Sequence, residues 1–247
     1  MKSKPTLALL HGWGMNPRVF DGMVAQLNEH VTLLPLALPG HGGTEILTTN
    51  TLATWAAQLS TQLPEQTMLL GWSLGGQVAM RIALDHPAQI QRLILVSSTP
   101  KFVLDDNWQA GIPLADIMSF GEDMQRDTRA TLLRFLTLQT RGSSAQKVLL
   151  ESLRKTFFAT PLPAPLALSA GLDTLLHTDL RTDVATLNQP TLVIHGSLDK
   201  LTLPSAGAWL AETIPHAKYC LIDGAAHAPF LSHPQQVAEA ILEEVHD

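Results

Sequence analysis

Apolar residues along this chain follow two alternating rhythms. Short, nearly unbroken apolar runs recur at residues 6–10, 31–36, 68–70, 90–96, 191–196 and 217–222. Runs of this length bounded by turn residues read as strands buried on both faces. Between them the spacing becomes helical. Leu52, Trp55, Ala56, Leu59 and Leu63 share one face of a helix expected over 51–63. Further helices are expected over 17–27, opened by Pro17, over 77–84, 204–213 and 234–245. Strand and helix alternating in this way predict an α/β chain with a mostly parallel central sheet flanked by helices. The alternation fails between about 98 and 183. Four helical stretches stand there instead, over 112–125, 126–140, 144–159 and 165–176. The chain therefore reads as a core of residues 1–98 and 184–247 carrying an inserted helical cap, 99–183.

The turns carry the candidate chemistry. The strand at 68–70 runs into Gly71-Trp72-Ser73-Leu74-Gly75, and a helix follows at once. A serine on a sharp strand-to-helix turn is held at a strained backbone angle with its oxygen exposed. The bland alternative is a serine that only caps the helix. A nucleophilic serine needs a base and an acid, and both should sit at later strand ends, where a parallel sheet delivers them to one edge. Asp199 lies just beyond the strand ending at His195-Gly196, and His227 lies in the loop after the last strand. Asp223, close before His227, is the rival acid. The expected oxyanion donors are the backbone N–H groups of Leu74 and of Trp13, in the His11-Gly12-Trp13-Gly14 turn after the first strand. His11 reads as a residue that braces the loop. Trp13 and Trp72, near this turn, are expected in the pocket wall.

Composition narrows the class. Of 247 residues, 45% are hydrophobic and only 15% charged, which fits a folded enzyme and not a disordered chain. A net charge of −6 argues against nucleic acid as the main partner. The single cysteine, Cys220, excludes an internal disulfide, reads as a buried strand thiol and suits a reducing compartment. The apolar run at 7–10 is too short for a signal peptide, and no stretch is long enough to span a membrane. A cytoplasmic protein is expected. No Gly-x-Gly-x-x-Gly follows the first strand and no histidines stand at metal-ligand spacing, so neither a cofactor nor a metal is expected.

One stretch departs from the acidic average. Residues 124–158 hold Arg126, Arg129, Arg134, Arg141, Lys147, Arg154 and Lys155 against only Asp127 and Glu151. Such a run is either an ordinary solvated helix surface or a face that attracts an acidic partner. Leu132, Phe135, Leu136, Leu138, Phe157 and Phe158 could line an acyl channel, or simply hold the helices together.

His11-Gly12-Trp13-Gly14, the serine turn, Arg134-Phe135-Leu136-Thr137-Leu138-Gln139-Thr140, Asp199 and His227-Ala228-Pro229-Phe230 together resemble the α/β-hydrolase superfamily over essentially the whole chain. More closely, they resemble its pimeloyl-[acyl-carrier protein] methyl ester esterases of biotin synthesis. The resemblance implies an α/β-hydrolase fold and hydrolysis of a carrier-bound methyl ester, freeing the pimeloyl carboxylate. It implies a triad of Ser73, Asp199 and His227, oxyanion donors at Trp13 and Leu74, and acyl contact by Phe135. Acyl carrier protein would be the partner, with small esters as further substrates. The implied docking cations are Arg134 and Lys147; Ala130 and Glu151 fall where the family can carry arginine, and Arg129, Arg154 and Lys155 are the nearby candidates. The competing readings are a general carboxylesterase or carbon–carbon bond hydrolase of the same superfamily, and a non-catalytic binding protein on this scaffold.

Overall fold

A computed structural model describes residues 4–246. Six strands form one parallel sheet: β1 (Thr6–Leu10), β2 (Thr32–Leu36), β3 (Thr67–Trp72), β4 (Ile90–Val96), β5 (Thr191–Gly196) and β6 (Ala217–Ile222). Their spatial order is β2-β1-β3-β4-β5-β6. Among the described residues, ten α-helices join or follow the strands: α1 (Asp21–Leu27), α2 (Leu52–Ser60), α3 (Leu74–Asp85), α4 (Leu114–Arg126), α5 (Thr128–Gln139), α6 (Gln146–Phe157), α7 (Pro165–His177), α8 (Pro204–Thr213), α9 (Pro229–Ser232) and α10 (Pro234–His246). This is the expected α/β architecture. No helix among the described residues is long and apolar enough to cross a membrane.

The strand order fixes where a site can form. From β1 the chain steps outward to β2, then returns to the other side of β1 for β3. The connections after β1 and β3 therefore diverge, leaving a crevice beyond the carboxyl ends of these two strands. His11-Gly12-Trp13 and Ser73 stand at that crevice.

Local chemistry accounts for the element ends. Thr51 and Thr54 form a reciprocal capping box at the start of α2. That helix stops at Ser60, short of the expected residue 63. The N–H groups of Gln62 and Leu63 turn back to Leu59 and Ser60, and Pro64 disfavours helix in the residue before it. The stretch from Pro17 begins as a 3-10 turn capped by Asn16 and becomes helical only at Asp21.

β3 and β5 are buried along their whole length, whereas the edge strand β6 exposes half of its residues and buries only Ile222. Cys220 is therefore half-buried, not the buried thiol that its apolar neighbours suggest. Tyr219 and Leu221 beside it are exposed. An apolar run reads alike at the centre and at the edge of a sheet; strand order decides the difference.

Between β4 and β5 lie α4 to α7, within two residues of where helical spacing predicts them at every end. Residues 99–113, ahead of them, are irregular. They are held by a Val103–Ile112 bridge, a Trp108 Nε1–H bond to the Lys101 carbonyl, and ion pairs joining Lys101 to Asp105 and Asp179. Four further hydrogen bonds tie this helical segment to the sheet's loops. Trp13 Nε1–H donates to Leu168 O (2.9 Å), Asn16 Nδ2–H to Thr156 O (3.1 Å), Ala164 N–H to Gly40 O (2.8 Å) and His227 N–H to Gln139 O (3.2 Å).

The junction of β3 and α3 leaves no room for side chains at its two glycines. A Cβ on Gly71 would stand 2.3 Å from the Gly75 carbonyl oxygen, and one on Gly75 would stand 2.4 Å from that of Leu10. Both neighbours are backbone, one in the first turn of α3 and one at the end of β1, and cannot swing away. Gly71→Ala is expected to destabilise the fold by about 2–4 kcal/mol, read as a lower urea midpoint with an unchanged slope. A midpoint equal to the parent's would show that the junction has slack.

Candidate active site

Ser73 occupies the turn between β3 and α3 with φ 56° and ψ −121°. Such angles cost a non-glycine residue about 1–3 kcal/mol and persist only where neighbours over-determine them. Here they do. The Ser73 N–H donates to Val96 O (3.0 Å), so the sheet ladder reaches the residue itself. Its carbonyl accepts from Gly76 N–H (2.9 Å) and Ser98 Oγ–H (2.9 Å). The Ser73 side chain makes no helix cap, and this serine opens onto a cavity of about 250 Å³.

His227 opens onto the same cavity. Its Nδ1–H donates to Asp199 Oδ2 (2.8 Å), which leaves the Nε2 lone pair as a base. Asp199 is 1% exposed and fully engaged. Its Oδ1 accepts from the N–H groups of Leu201 (2.9 Å) and Thr202 (3.1 Å). The Thr202 hydroxyl, which holds one proton, lies 2.9 Å from Asp199 Oδ2 and 2.8 Å from Ser97 O. Burial pushes the Asp199 carboxyl up. The charge and hydrogen bond of His227, followed by His195 and the Leu201 N–H, outweigh it and hold the group below the usual carboxylate range. Asp223, the rival acid, accepts from Ser197 Oγ–H (3.0 Å) instead.

Relationships to known proteins accord with this geometry. Residues 7–240 match the alpha/beta hydrolase family model. The chain belongs to the alpha/beta hydrolase family. A relative from Nitrosomonas europaea named pimeloyl-[acyl-carrier protein] methyl ester esterase is 41% identical over 94% of this chain and 92% of its own. Relatives of the same name from Xanthomonas campestris and Klebsiella pneumoniae are 41% and 38% identical, each over 96% of this chain and over 93% and 91% of their own. Among solved structures, an esterase from Exiguobacterium antarcticum superposes with a TM-score of 0.89 over 100% of this chain and 94% of its own. At 21% identity it speaks to the fold alone.

In this alpha/beta hydrolase the cavity wall is largely apolar and comes from several elements. Trp13 and Phe135 line it, with their rings edge to face at 5.0 Å. Trp72 does not. Its ring packs against His227 and Phe230, and its Nε1–H donates to the His227 carbonyl (2.8 Å). It supports the histidine loop from within the core. Of the six apolar side chains weighed for an acyl channel, Phe135 and Leu138 line the cavity. Leu132, Leu136 and Phe157 are buried among the helices, and Phe158 is exposed. The rest of the wall includes Phe102 and Ile112 from the irregular segment, Phe120 from α4 and Leu172 from α7. Helical periodicity marks the α4 and α7 residues as apolar-face positions. Nothing in it says that this part of the face borders a cavity.

Three buried histidines surround the site. His11 donates from Nδ1 to Gly12 O (2.8 Å) and accepts the Leu38 N–H at Nε2 (3.1 Å). His41 donates from Nδ1 to Pro39 O (3.0 Å) and accepts the Gly14 N–H (3.4 Å). Each ring ties the Trp13 turn to the loop after β2, and each hydrogen-bond set requires a neutral imidazole. Burial, with the neighbouring His41, lowers His11 to about 3, and burial lowers His41 to about 4. His195 donates to Thr202 O (3.0 Å) and is also lowered by burial. Sequence reasoning anticipated the loop-bracing role of His11. It gave His41 and His195 no such role, because their partners are backbone groups that only folding brings against the rings.

The sign of the pH dependence follows. Unfolded His11 and His41 take up protons near pH 6.5, but the folded state resists protonation until about 3 and about 4. Between these values the unfolded chain binds more protons, so stability falls as pH falls from 6.5 toward 4. Each group contributes a slope of up to about 1.4 kcal/mol per pH unit. Urea melts between about pH 7 and about pH 5 are expected to show this decline, and His41→Gln is expected to flatten it. An unaltered slope would remove His41 from the account.

Proposed function

We propose that this chain is a serine carboxylesterase that hydrolyses the methyl ester of pimeloyl-[acyl-carrier protein], freeing the pimeloyl carboxylate for biotin synthesis. The observation that carries the reading is 41% identity over nearly the whole length of relatives bearing that name. The placement of Ser73 and His227 on one apolar cavity, with Asp199 bonded behind the histidine, supports it.

In the proposed reaction Ser73 Oγ attacks the ester carbonyl while His227 Nε2 takes its proton. Asp199 holds the imidazole by Nδ1 and stabilises the imidazolium that forms. The tetrahedral oxyanion accepts hydrogen bonds from the N–H groups of Leu74 and Trp13. Leu74 is the first residue of α3, where N–H groups lack helical partners. The Trp13 turn adjoins the serine: a Cβ on Gly12 would stand 3.2 Å from that of Ser73. The imidazolium then protonates the leaving methoxide, and methanol departs. Water, deprotonated by His227, attacks the acyl-enzyme and releases the carboxylic acid. The chain supplies nucleophile, base and oxyanion donors, so these steps call on no cofactor or metal.

Residues 99–183 serve in this reading as a cap over the acyl chain, with Phe135 and Trp13 in its wall and Trp72 supporting the base from below. The cap's basic surface takes the acidic carrier. On α6 the buried face is Leu149, Leu153 and Phe157, so Lys147, Arg154 and Lys155 lie on the solvent side. Arg129 lies over the Phe158 ring at 4.9 Å, and Arg134 is exposed but paired with Asp123. Among the described residues the α6 cations and Arg129 form no ion pair, although Glu151 shares the exposed side of α6, whereas Arg134 must leave Asp123 to meet the carrier. In this reading the enzyme works in the cytoplasm beside its biosynthetic partner.

Ser73→Ala or His227→Ala is expected to lower kcat on the carrier-bound methyl ester by at least about a thousandfold with the fold retained. Near-parental turnover in either variant would sink the assignment. Complementation of a biotin auxotroph lacking its own pimeloyl ester esterase, with Ser73→Ala as the negative control, tests the substrate. For docking, Lys147→Glu combined with Arg154→Glu is expected to lower kcat/KM on the carrier-bound ester about tenfold at low salt, an effect shrinking as salt rises. Equal values at every salt concentration would remove α6 from the docking face.

A further inference from the structure

Two cations share the cavity with Ser73 and His227. Arg141 lies in the turn after α5, Lys200 follows Asp199, and both are exposed residues that line the cavity. They therefore stand where it meets solvent. Their loops adjoin one another. A Cβ on Gly142 would stand 3.8 Å from that of Leu198, and His227 N–H bonds to Gln139 O at the end of α5. Among the described residues neither cation forms an ion pair, although most other arginines of the chain do. The one carboxylate on the lining, Asp116 of α4, forms none either. Two cations against one acid leave the opening of an otherwise apolar cavity with a positive excess.

A neutral ester offers nothing for these charges to hold. Cations beside low-dielectric walls attract an anion more strongly than they would in open water. The group they suit is therefore a second group on the substrate, anionic and within reach of the same small cavity. A charge on a carrier protein lies many bonds from the scissile ester. A carboxylate at the other end of a short acyl chain lies within reach.

We propose that Arg141 and Lys200 form an anion subsite through which the enzyme also takes carrier-free half-esters of linear dicarboxylic acids. The inference rests on the serine ester chemistry above. Ser73 cleaves the methyl ester end, water supplies the oxygen, methanol leaves, and the far carboxylate stays between the two cations.

The test compares kcat/KM for monomethyl pimelate with that for methyl heptanoate, a neutral ester of similar length. In the parent, the ratio of half-ester to neutral ester falls as salt is raised. In the Arg141→Gln/Lys200→Gln double variant the ratio is expected to be about three- to tenfold lower and insensitive to salt, while Arg141→Lys alone keeps most of it. The salt titration of the parent stands even if the double variant folds poorly. A ratio equal in parent and double variant, or one that ignores salt in the parent, overturns the subsite. A loss confined to the carrier-bound ester assigns these cations to carrier docking and also overturns it. A parent that cleaves neither small ester but does cleave the carrier-bound one limits the reaction to the carrier and refutes the carrier-free activity. A parent that cleaves none of the three fails at the Ser73 chemistry itself.

Discussion

The contact of β1, β3 and the start of α3 at bare backbone is the constraint on which the rest depends. Gly71 and Gly75 let the helix begin in van der Waals contact with the ends of two central strands. That proximity leaves Ser73 a single strained conformation, held by the ladder on one side and by Gly76 and Ser98 on the other. Because β3 sits between β1 and β4, the serine, the Trp13 turn and the end of β4 are brought into register together. The same sheet carries Asp199 and His227 to that edge from β5 and β6. Geometry at the candidate site is thus sheet register, not loop flexibility.

Electrostatics are arranged around one buried charge. Asp199 is surrounded by donors: two backbone N–H groups, a hydroxyl within reach and the His227 imidazole. Without them a carboxylate this deep would be driven toward its neutral form. The nearby histidines do the opposite work. His11 and His41 stay neutral, and their tautomers fasten the first turn to the loop after β2. Part of the site's order is therefore sustained by groups that cannot tolerate acid.

The helical segment between β4 and β5 turns an exposed sheet edge into a cavity. Its joint with the core is Trp13, whose Nε1–H bonds to the Leu168 carbonyl and whose ring meets Phe120 and Phe135. A Cβ on Gly171 of α7 would stand 2.6 Å from the Trp13 ring, so helix and ring are in direct contact. Residue 13 thus touches the serine turn through its backbone neighbour and the helices through its side chain. Any shift of the helices would be felt next to Ser73.

The alternation of buried strands and helices, the inserted helices and the serine turn were legible in the sequence because each is a local pattern. Periodicity, capping chemistry and a five-residue turn need no partner elsewhere in the chain. Asp199 was the expected acid there with Asp223 as its rival, since both follow strands; folding separates them by giving Asp223 to Ser197. What tertiary structure alone decided is where side chains of similar character end up. Trp13 and Trp72 are both tryptophans flanking the turn, yet one lines the cavity and the other lies under His227. Cys220 sits in an apolar run like those of the core strands, yet it is half-buried because β6 is an edge. Arg141 belongs to a basic run of seven, yet it lines the cavity with Lys200, a residue 59 positions away in a different loop. Spacing along the chain fixes the face of an element; the neighbour of that face is set by sheet order and helix packing, which no local pattern contains.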